Sequence, residues 1–301
     1  ERGRVNGLMW GATLCGSAFG GAGMATLISW TNLNTAVITQ AAITLAILTV
    51  VIAWQERPGE KRYPWSAGGP EGVVRQLSFG VMISLGVRLR ALSTRTTATL
   101  MALAAVYTMC EGLYDPLTVE VFVQDFGWSA AEFARAQGTW GVVGELIGAL
   151  MGGYLCDKLG RRRMAALGFV LMSAVLFTFA LTASSWHAAG YPAVLLLPAF
   201  KGTLAFATVS MFSLFMKVSW TRAAATQFTL YMALSNLGYA VGAKLNAWPE
   251  AAGFTLSLSD YYLVAAAVPL VAMVFLIGLD PDEVEARRHR ENREVALSTT
   301  D

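Results

Sequence analysis

Charged residues, histidine and cysteine are scarce in this 301-residue chain, and each scarcity excludes a class of protein. Charged side chains make up only 14% of the sequence, against roughly 25% in soluble domains. The two histidines, His187 and His289, are expected in different loops, where they form neither a metal site nor a catalytic triad. Three cysteines, an odd number, make no disulfide framework. We therefore expect no metal, no cofactor, no enzymatic activity and no nucleic-acid partner.

Long apolar runs take up most of the chain instead. Hydrophobic residues make up 55% of the sequence, and the mean hydropathy is +0.51. A run of about 20 apolar residues in a helix is long enough to cross the ~30 Å hydrocarbon core of a bilayer. The sequence therefore predicts an all-α membrane protein with eight transmembrane helices, over residues 5–29, 32–54, 96–123, 132–156, 164–185, 191–216, 223–247 and 259–279.

The positive charges predict how these helices are oriented. Cytoplasmic loops of membrane proteins are enriched in Lys and Arg. With both termini inside, every Lys and Arg except Arg135, Lys201 and Lys244 falls in a cytoplasmic segment. We therefore expect a multi-pass protein of the cell's inner (plasma) membrane with both termini cytoplasmic.

One long polar stretch, residues 55–95, divides the helices into two plus six. It begins as a loop, and an apolar stripe at helical spacing over residues 74–92 predicts an amphipathic helix on the membrane surface. Six-helix halves joined by a cytoplasmic linker are one plan of secondary transporters. The expected domains are the last two helices of an amino-terminal half (1–54), the cytoplasmic linker (55–95), a carboxy-terminal six-helix half (96–279) and a cytoplasmic tail (280–301).

The turn between the fourth and fifth predicted helices carries the most specific motif. It reads Gly153-x-x-x-Asp157-Lys158-Leu159-Gly160-Arg161-Arg162-Arg163. Anchoring by positive charge accounts for the arginines but not for the acid and the glycines. Here the chain resembles the major facilitator superfamily, whose signature is Gly-x-x-x-Asp-(Arg/Lys)-x-Gly-(Arg/Lys)-(Arg/Lys). The resemblance covers residues 1–279 and implies helices 5–12 of a twelve-helix fold, so we expect the carboxy-terminal two-thirds of a transporter.

The resemblance also implies a conformational gate. In that superfamily the motif aspartate approaches the amino end of a helix in the opposite half and helps to close the cytoplasmic side. The expected target of Asp157 is the start of the first helix, residues 3–6, and such a contact is worth roughly 0.3–2 kcal/mol. The residues assigned to the gate by this resemblance are Gly153, Asp157, Lys158, Gly160, Arg161 and Arg162.

Glycines recur every four residues on several predicted helices, and such faces allow close helix approach in lipid. The first helix carries Gly16 and Gly20, and the fourth carries Gly144, Gly148 and Gly152. Because the superfamily packs its fifth helix against its eighth, we expect these two faces to meet. A similar face on the seventh helix, Gly238 and Gly242, has the family's second helix as its implied partner.

Ionisable side chains at membrane depth are the candidate substrate-binding or proton-coupling residues, because charges there are costly and usually face a cavity or a partner. Glu111 and Asp115 are one turn apart with Tyr107 one turn before them, and Glu145 and Lys201 lie near the middle of their helices. The helical rise places Glu111 and Lys201 at depths that differ by only about 7 Å. The two can therefore face one substrate, and a purely structural ion pair is the alternative.

The expected function is secondary active transport of a small polar or anionic solute by alternating access, with protons as the coupling ion. Three passages are similar to the muropeptide permease (AmpG-type) and acetyl-CoA transporter-like group: residues 111–117, Gly127-Trp128-Ser129 and Arg222-x-x-x-Thr226-Gln227-Phe228. The complete motif turn departs from that group, where it is often degenerate, so a siderophore importer stays open. A transporter-like sensor or scaffold is a further alternative.

Overall fold

The computed structural model describes residues 11–54, 95–185, 191–219 and 224–279. Within these ranges the chain forms eight helices and no strand. Their bounds are α1 Gly11–Trp30, α2 Leu33–Ala53, α3 Arg95–Glu120, α4 Ala130–Leu159, α5 Arg161–Thr182, α6 Tyr191–Val218, α7 Ala224–Ala251 and α8 Leu258–Ile277. The predicted all-α architecture is confirmed.

Six of the eight helices, all except α3 and α7, are long and apolar enough to cross a membrane. The remaining two have 26 and 28 residues, which is also long enough to span the hydrocarbon core. Polar side chains lower their hydropathy: α3 carries Glu111 and Asp115, and α7 carries several hydroxyl and amide residues. The two most polar helices therefore lie within an otherwise apolar bundle.

Local sequence fixes where α4 and α8 begin. The Ser129 hydroxyl accepts from the Glu132 backbone N–H at 3.2 Å, while the Ser129 N–H donates to the Glu132 carboxylate at 2.8 Å. Ser257 and Asp260 make the same reciprocal pair at the start of α8. Each pair satisfies backbone donors that the first turn of a helix leaves free.

The glycine face of α4 lies against α6. A Cβ added at Gly144, Gly148 or Gly152 would meet a backbone carbonyl of α6, those of Pro198, Gly202 and Phe206 in that order. The two helices therefore touch backbone to backbone over about two turns.

The expected meeting of α1 and α4 is confirmed, but these glycine faces are not where they touch. Helix α1 meets α4 nearer its start, where a Cβ at Gly138 would lie 2.6 Å from the Ala22 nitrogen. Apart from the neighbouring backbone of α1 itself, no described atom lies within 4 Å of a Cβ built at Gly16 or Gly20. Both helices contain a π-helical turn, Phe19–Gly23 and Gln137–Gly141. Such a turn inserts a residue and rotates everything beyond it, so a four-residue spacing counted on a regular helix selects the wrong face.

Helices α3 and α7 form a second pair of this kind. A Cβ at Gly238 or Gly242 would overlap the carbonyl of Ala105 or Met109, and one at Gly112 would overlap the Tyr239 carbonyl. The partner implied by resemblance for the α7 glycines, the family's second helix, is therefore wrong, since α3 covers this face. Both helices of the pair belong to the predicted six-helix half.

An aromatic core lies behind these pairs and sets the rotation of α3. Tyr114 is fully buried; its ring stacks on Phe200 of α6 at 3.8 Å and meets Phe179 of α5 edge-on at 5.9 Å. Because Tyr114 precedes Asp115 and Phe200 precedes Lys201, burying the rings leaves the next residue of each helix at the edge of the core.

Several predictions fall outside the described residues. These are the loop and amphipathic helix of the linker up to residue 94, the cytoplasmic tail 280–301, both histidines, and the target of Asp157 at residues 3–6. They stay predictions.

Candidate functional site

Three of the predicted site residues form one ion cluster, which consists of Lys201, Glu111 and Asp115. The Lys201 ammonium on α6 lies 3.0 Å from Asp115 Oδ1 and 3.4 Å from Glu111 Oε1, both on α3. The lysine side chain is 8% exposed, against 28% for Glu111 and 21% for Asp115. The ammonium is therefore enclosed, and the acids lie between it and the accessible face of the bundle.

Packing around the lysine stem explains why the ammonium reaches α3. The stacked Tyr114 and Phe200 rings hold α3 and α6 together one residue before the ion pair. On the other side a Cβ built at Gly141 would lie 3.7 Å from Lys201 Cγ, so the aliphatic stem lies on the bare backbone of α4. The stem is thus buried along its length while its charge reaches the acids.

Tyr239 of α7 is a fourth member of this site that sequence reasoning missed. Its hydroxyl donates to Asp115 Oδ2 at 3.3 Å, while Lys201 holds the other oxygen of the same carboxylate. A signal was available, because polar side chains recur every four residues along one face of α7, at Gln227, Tyr231, Ser235 and Tyr239.

Glu145 of α4 lies near the ion cluster without joining it. The described residues contain two salt bridges, and both are made by Lys201 with the α3 acids. Glu145 is half-buried and close enough to interact with the Lys201 charge. One ammonium thus faces three carboxylates, and in the described part of the chain no group of three His, Cys, Asp or Glu side chains could hold a metal ion.

Tyr107, also predicted for the site, lies in the core. It is 2% exposed, its ring packs against Phe169 at 6.0 Å, and its hydroxyl lies beside Ser235 and Thr208. A spacing of one turn placed it on the face of Glu111, but its side chain turns toward the neighbouring helices. Among the described residues, no hydrogen bond joins Tyr107 to the ion cluster.

The motif turn joins α4 to α5 through a single glycine. Gly160 has φ +94°, which side chains disfavour, and its N–H donates to the Cys156 carbonyl at 3.2 Å to close α4. Asp157 is exposed beside this turn, and Lys158 donates to the Tyr154 hydroxyl.

Arg162 of the motif contacts the carboxyl end of α8. Its guanidinium donates to the carbonyls of Ile277 at 3.0 Å and Leu279 at 2.9 Å. These carbonyls have no partner within the helix, so the arginine caps α8 and favours its negative end. This contact was absent from the sequence analysis, which assigned Arg162 to the gate alone.

A family model described as Major Facilitator Superfamily matches residues 1–243 and also residues 100–300. Together the two matches cover nearly the whole chain. No curated protein matches it, so the narrower resemblance to muropeptide permeases stays a prediction.

Proposed function

The chain belongs to the major facilitator superfamily, and on that premise we propose that it carries a small polar or anionic solute across a membrane, driven by protons. The superfamily and the apolar helices make it a multi-pass membrane transporter. The finer proposal is supported by one observation above all, the sharing of the single Lys201 ammonium by Glu111 and Asp115.

The charge balance of this cluster supports proton coupling. One ammonium neutralises one carboxylate, so Glu111, Asp115 and the nearby Glu145 leave excess negative charge in a poorly solvated place. Uncompensated charge is costly there. A proton on one carboxyl halves this excess, from two negative charges to one, and is the smallest ligand that can do so.

The same geometry supplies a way to couple the proton to an anionic solute. Lys201 already has two carboxylate partners, and an anionic group that binds the ammonium competes with them and can displace one. The displaced carboxylate then lacks its cation and takes up a proton. When the solute leaves, the carboxylate returns to Lys201 and releases the proton. Because each ligand favours binding of the other, loaded and empty carriers can prefer different conformations.

We further propose that the protein lies in the inner (plasma) membrane with both termini cytoplasmic. Support comes from the Lys and Arg residues, nearly all of which fall in the segments placed inside. On this arrangement residues 1–54 complete an amino-terminal half, residues 96–279 form the carboxy-terminal half, and the motif turn at Asp157 closes the cytoplasmic side.

Proton uptake into liposomes tests the proposal. The purified protein is reconstituted around a trapped pH-sensitive dye, and a panel of small anionic solutes is added outside. We expect at least one solute to acidify the interior, and Lys201→Met and Glu111→Gln to abolish this signal at normal protein levels. Lys244→Met and Glu120→Gln, which change exposed residues of α7 and α3, are the matched controls and should retain it.

Two outcomes would contradict the proposal. Full solute-driven acidification by both Lys201→Met and Glu111→Gln would remove the cluster from the transport step. Loss of folded protein in each single variant, restored in the double variant, would show that the cluster is only a structural ion pair.

A further inference from the structure

The two carboxylates of the ion cluster are held unequally. Asp115 accepts one hydrogen bond at each oxygen, from Lys201 at 3.0 Å and from the Tyr239 hydroxyl at 3.3 Å. Among the described residues Glu111 accepts only one, from Lys201, and that bond is longer at 3.4 Å. Donors that contact a charged carboxylate favour its charged form. Asp115 is therefore held by two donors and Glu111 by one, although the two lie one turn apart.

Close backbone contacts between α7 and α3 position Tyr239. The Tyr239 carbonyl lies where a Cβ at Gly112 would stand, and a Cβ at the preceding Gly238 would overlap the Ala105 carbonyl. No side chain separates α7 from α3 at this level, so the tyrosine backbone is fixed relative to the acids. Tyr239 is 38% exposed, so this donor lies on the accessible side of the cluster, beside Asp115.

We propose that Tyr239 is a positioning residue that keeps Asp115 as the permanent counter-ion of Lys201. Glu111 is then the carboxylate that leaves Lys201 and takes up the proton. This inference rests on the proposed proton-coupled transport and assigns its steps. Glu111, with the single long bond, leaves Lys201 when an anionic group arrives and carries the proton. Asp115 stays ionised and keeps the ammonium charged and in place throughout.

Carbodiimide labelling tests this division without any solute. Dicyclohexylcarbodiimide reacts with protonated carboxyl groups in apolar surroundings: the carboxyl oxygen bonds to the central carbon, the proton moves to nitrogen, and a stable N-acylurea forms by rearrangement. The purified protein in liposomes is labelled between pH 5 and 9, and fragment mass spectrometry gives the label at Glu111 and at Asp115 separately. We expect Glu111 to be labelled about tenfold more than Asp115, the worth of one hydrogen bond to a charged acceptor.

The variant Tyr239→Phe removes only the hydroxyl and keeps the ring. We expect the Asp115 label to rise until the ratio of the two labels approaches one, with unchanged protein levels. Tyr231→Phe is the matched control, since Tyr231 lies eight residues earlier on α7 and packs its ring against Phe215. It should leave the ratio at the wild-type value.

Three results would overturn the inference: equal labels in the wild-type protein, no label at either carboxyl at any pH, or an unchanged ratio in Tyr239→Phe. Because labelling needs no solute, these results are separate from a failure of the uptake experiment. If Glu111 is labelled about tenfold more than Asp115 in the wild-type protein but no solute acidifies the liposomes, the transport proposal is refuted. The inference that the two carboxylates are held unequally then still stands.

Discussion

One methyl group at Gly148 tests the contact between α4 and α6. A Cβ at this position would lie 2.7 Å from the Gly202 carbonyl carbon and 3.0 Å from its Cα, and it would overlap the carbonyl oxygen. Ordinary carbon–carbon contacts are about 3.5–4.0 Å, so the helices must separate locally by roughly 1 Å. The obstacle is backbone, which cannot turn aside as a flexible side chain would.

The expected cost follows from two opposing effects. Overpacking costs about 1–3 kcal/mol, and a backbone obstacle places Gly148→Ala near the upper end. Alanine is favoured over glycine in a helix by about 1 kcal/mol, which offsets part of this cost. We therefore expect Gly148→Ala to lower the free energy of unfolding by about 2 kcal/mol.

Gly153→Ala is the matched control on the same helix. Its new methyl group would lie 3.9 Å from Val209 Cγ1, an ordinary contact, so only the helix preference of alanine applies. We expect this variant to be as stable as the wild type or up to about 1 kcal/mol more stable.

Thermal unfolding in detergent micelles, followed with a thiol-reactive fluorescent dye, measures both variants. Cys110 and Cys156 are buried and become reactive when the bundle opens, whereas the exposed Cys15 gives the initial signal. At about 2–4 °C per kcal/mol for a chain of this size, the Gly148→Ala midpoint should fall by roughly 4–8 °C. Equal midpoints for Gly148→Ala and Gly153→Ala would refute the reasoning about this helix contact.

Three further predictions concern topology, the gate and the motif turn. Cysteines placed singly at positions 66 and 296 of a cysteine-free protein should resist an impermeant thiol reagent added outside, and labelling there would overturn the orientation. Asp157→Asn should weaken closure of the cytoplasmic side, and in a separate variant cysteines at positions 157 and 4 should crosslink in the outward-open state; a cysteine pair that never crosslinks in any state would remove the gate. Arg162→Ala should speed proteolysis of the chain after α8 severalfold, because the two carbonyl bonds from the arginine are lost, whereas Arg163→Ala should not.

The sequence predicted the helices well because the bilayer imposes their length. The depths of Lys201 and Glu111 could also be predicted, since the helical rise converts residue number into height. The structure brings these two side chains within 3.4 Å. Depth alone does not give rotation, which explains why Tyr107 was predicted for the site but lies in the core.

The glycine faces expected at the contact between α1 and α4 were mispredicted for a different reason. A π-helical turn leaves no clear mark in sequence, yet those at Phe19–Gly23 and Gln137–Gly141 change which face of α1 and α4 looks inward. Tyr239 was missed because one tyrosine on a transmembrane helix is common. Its role depends on Asp115 of another helix, a contact that only the assembled bundle reveals.

The backbone contacts of the bundle give the ion cluster a mechanical position. Helices α3 and α7 are in direct backbone contact at glycines and form one unit, and α4 and α6 form another in the same way. Both acids and Tyr239 belong to the first unit, whereas Lys201 belongs to the second. The two salt bridges of Lys201 therefore connect the two units. A change in the angle between the two units therefore alters these salt bridges together with the Tyr114–Phe200 ring stack, which crosses the same boundary.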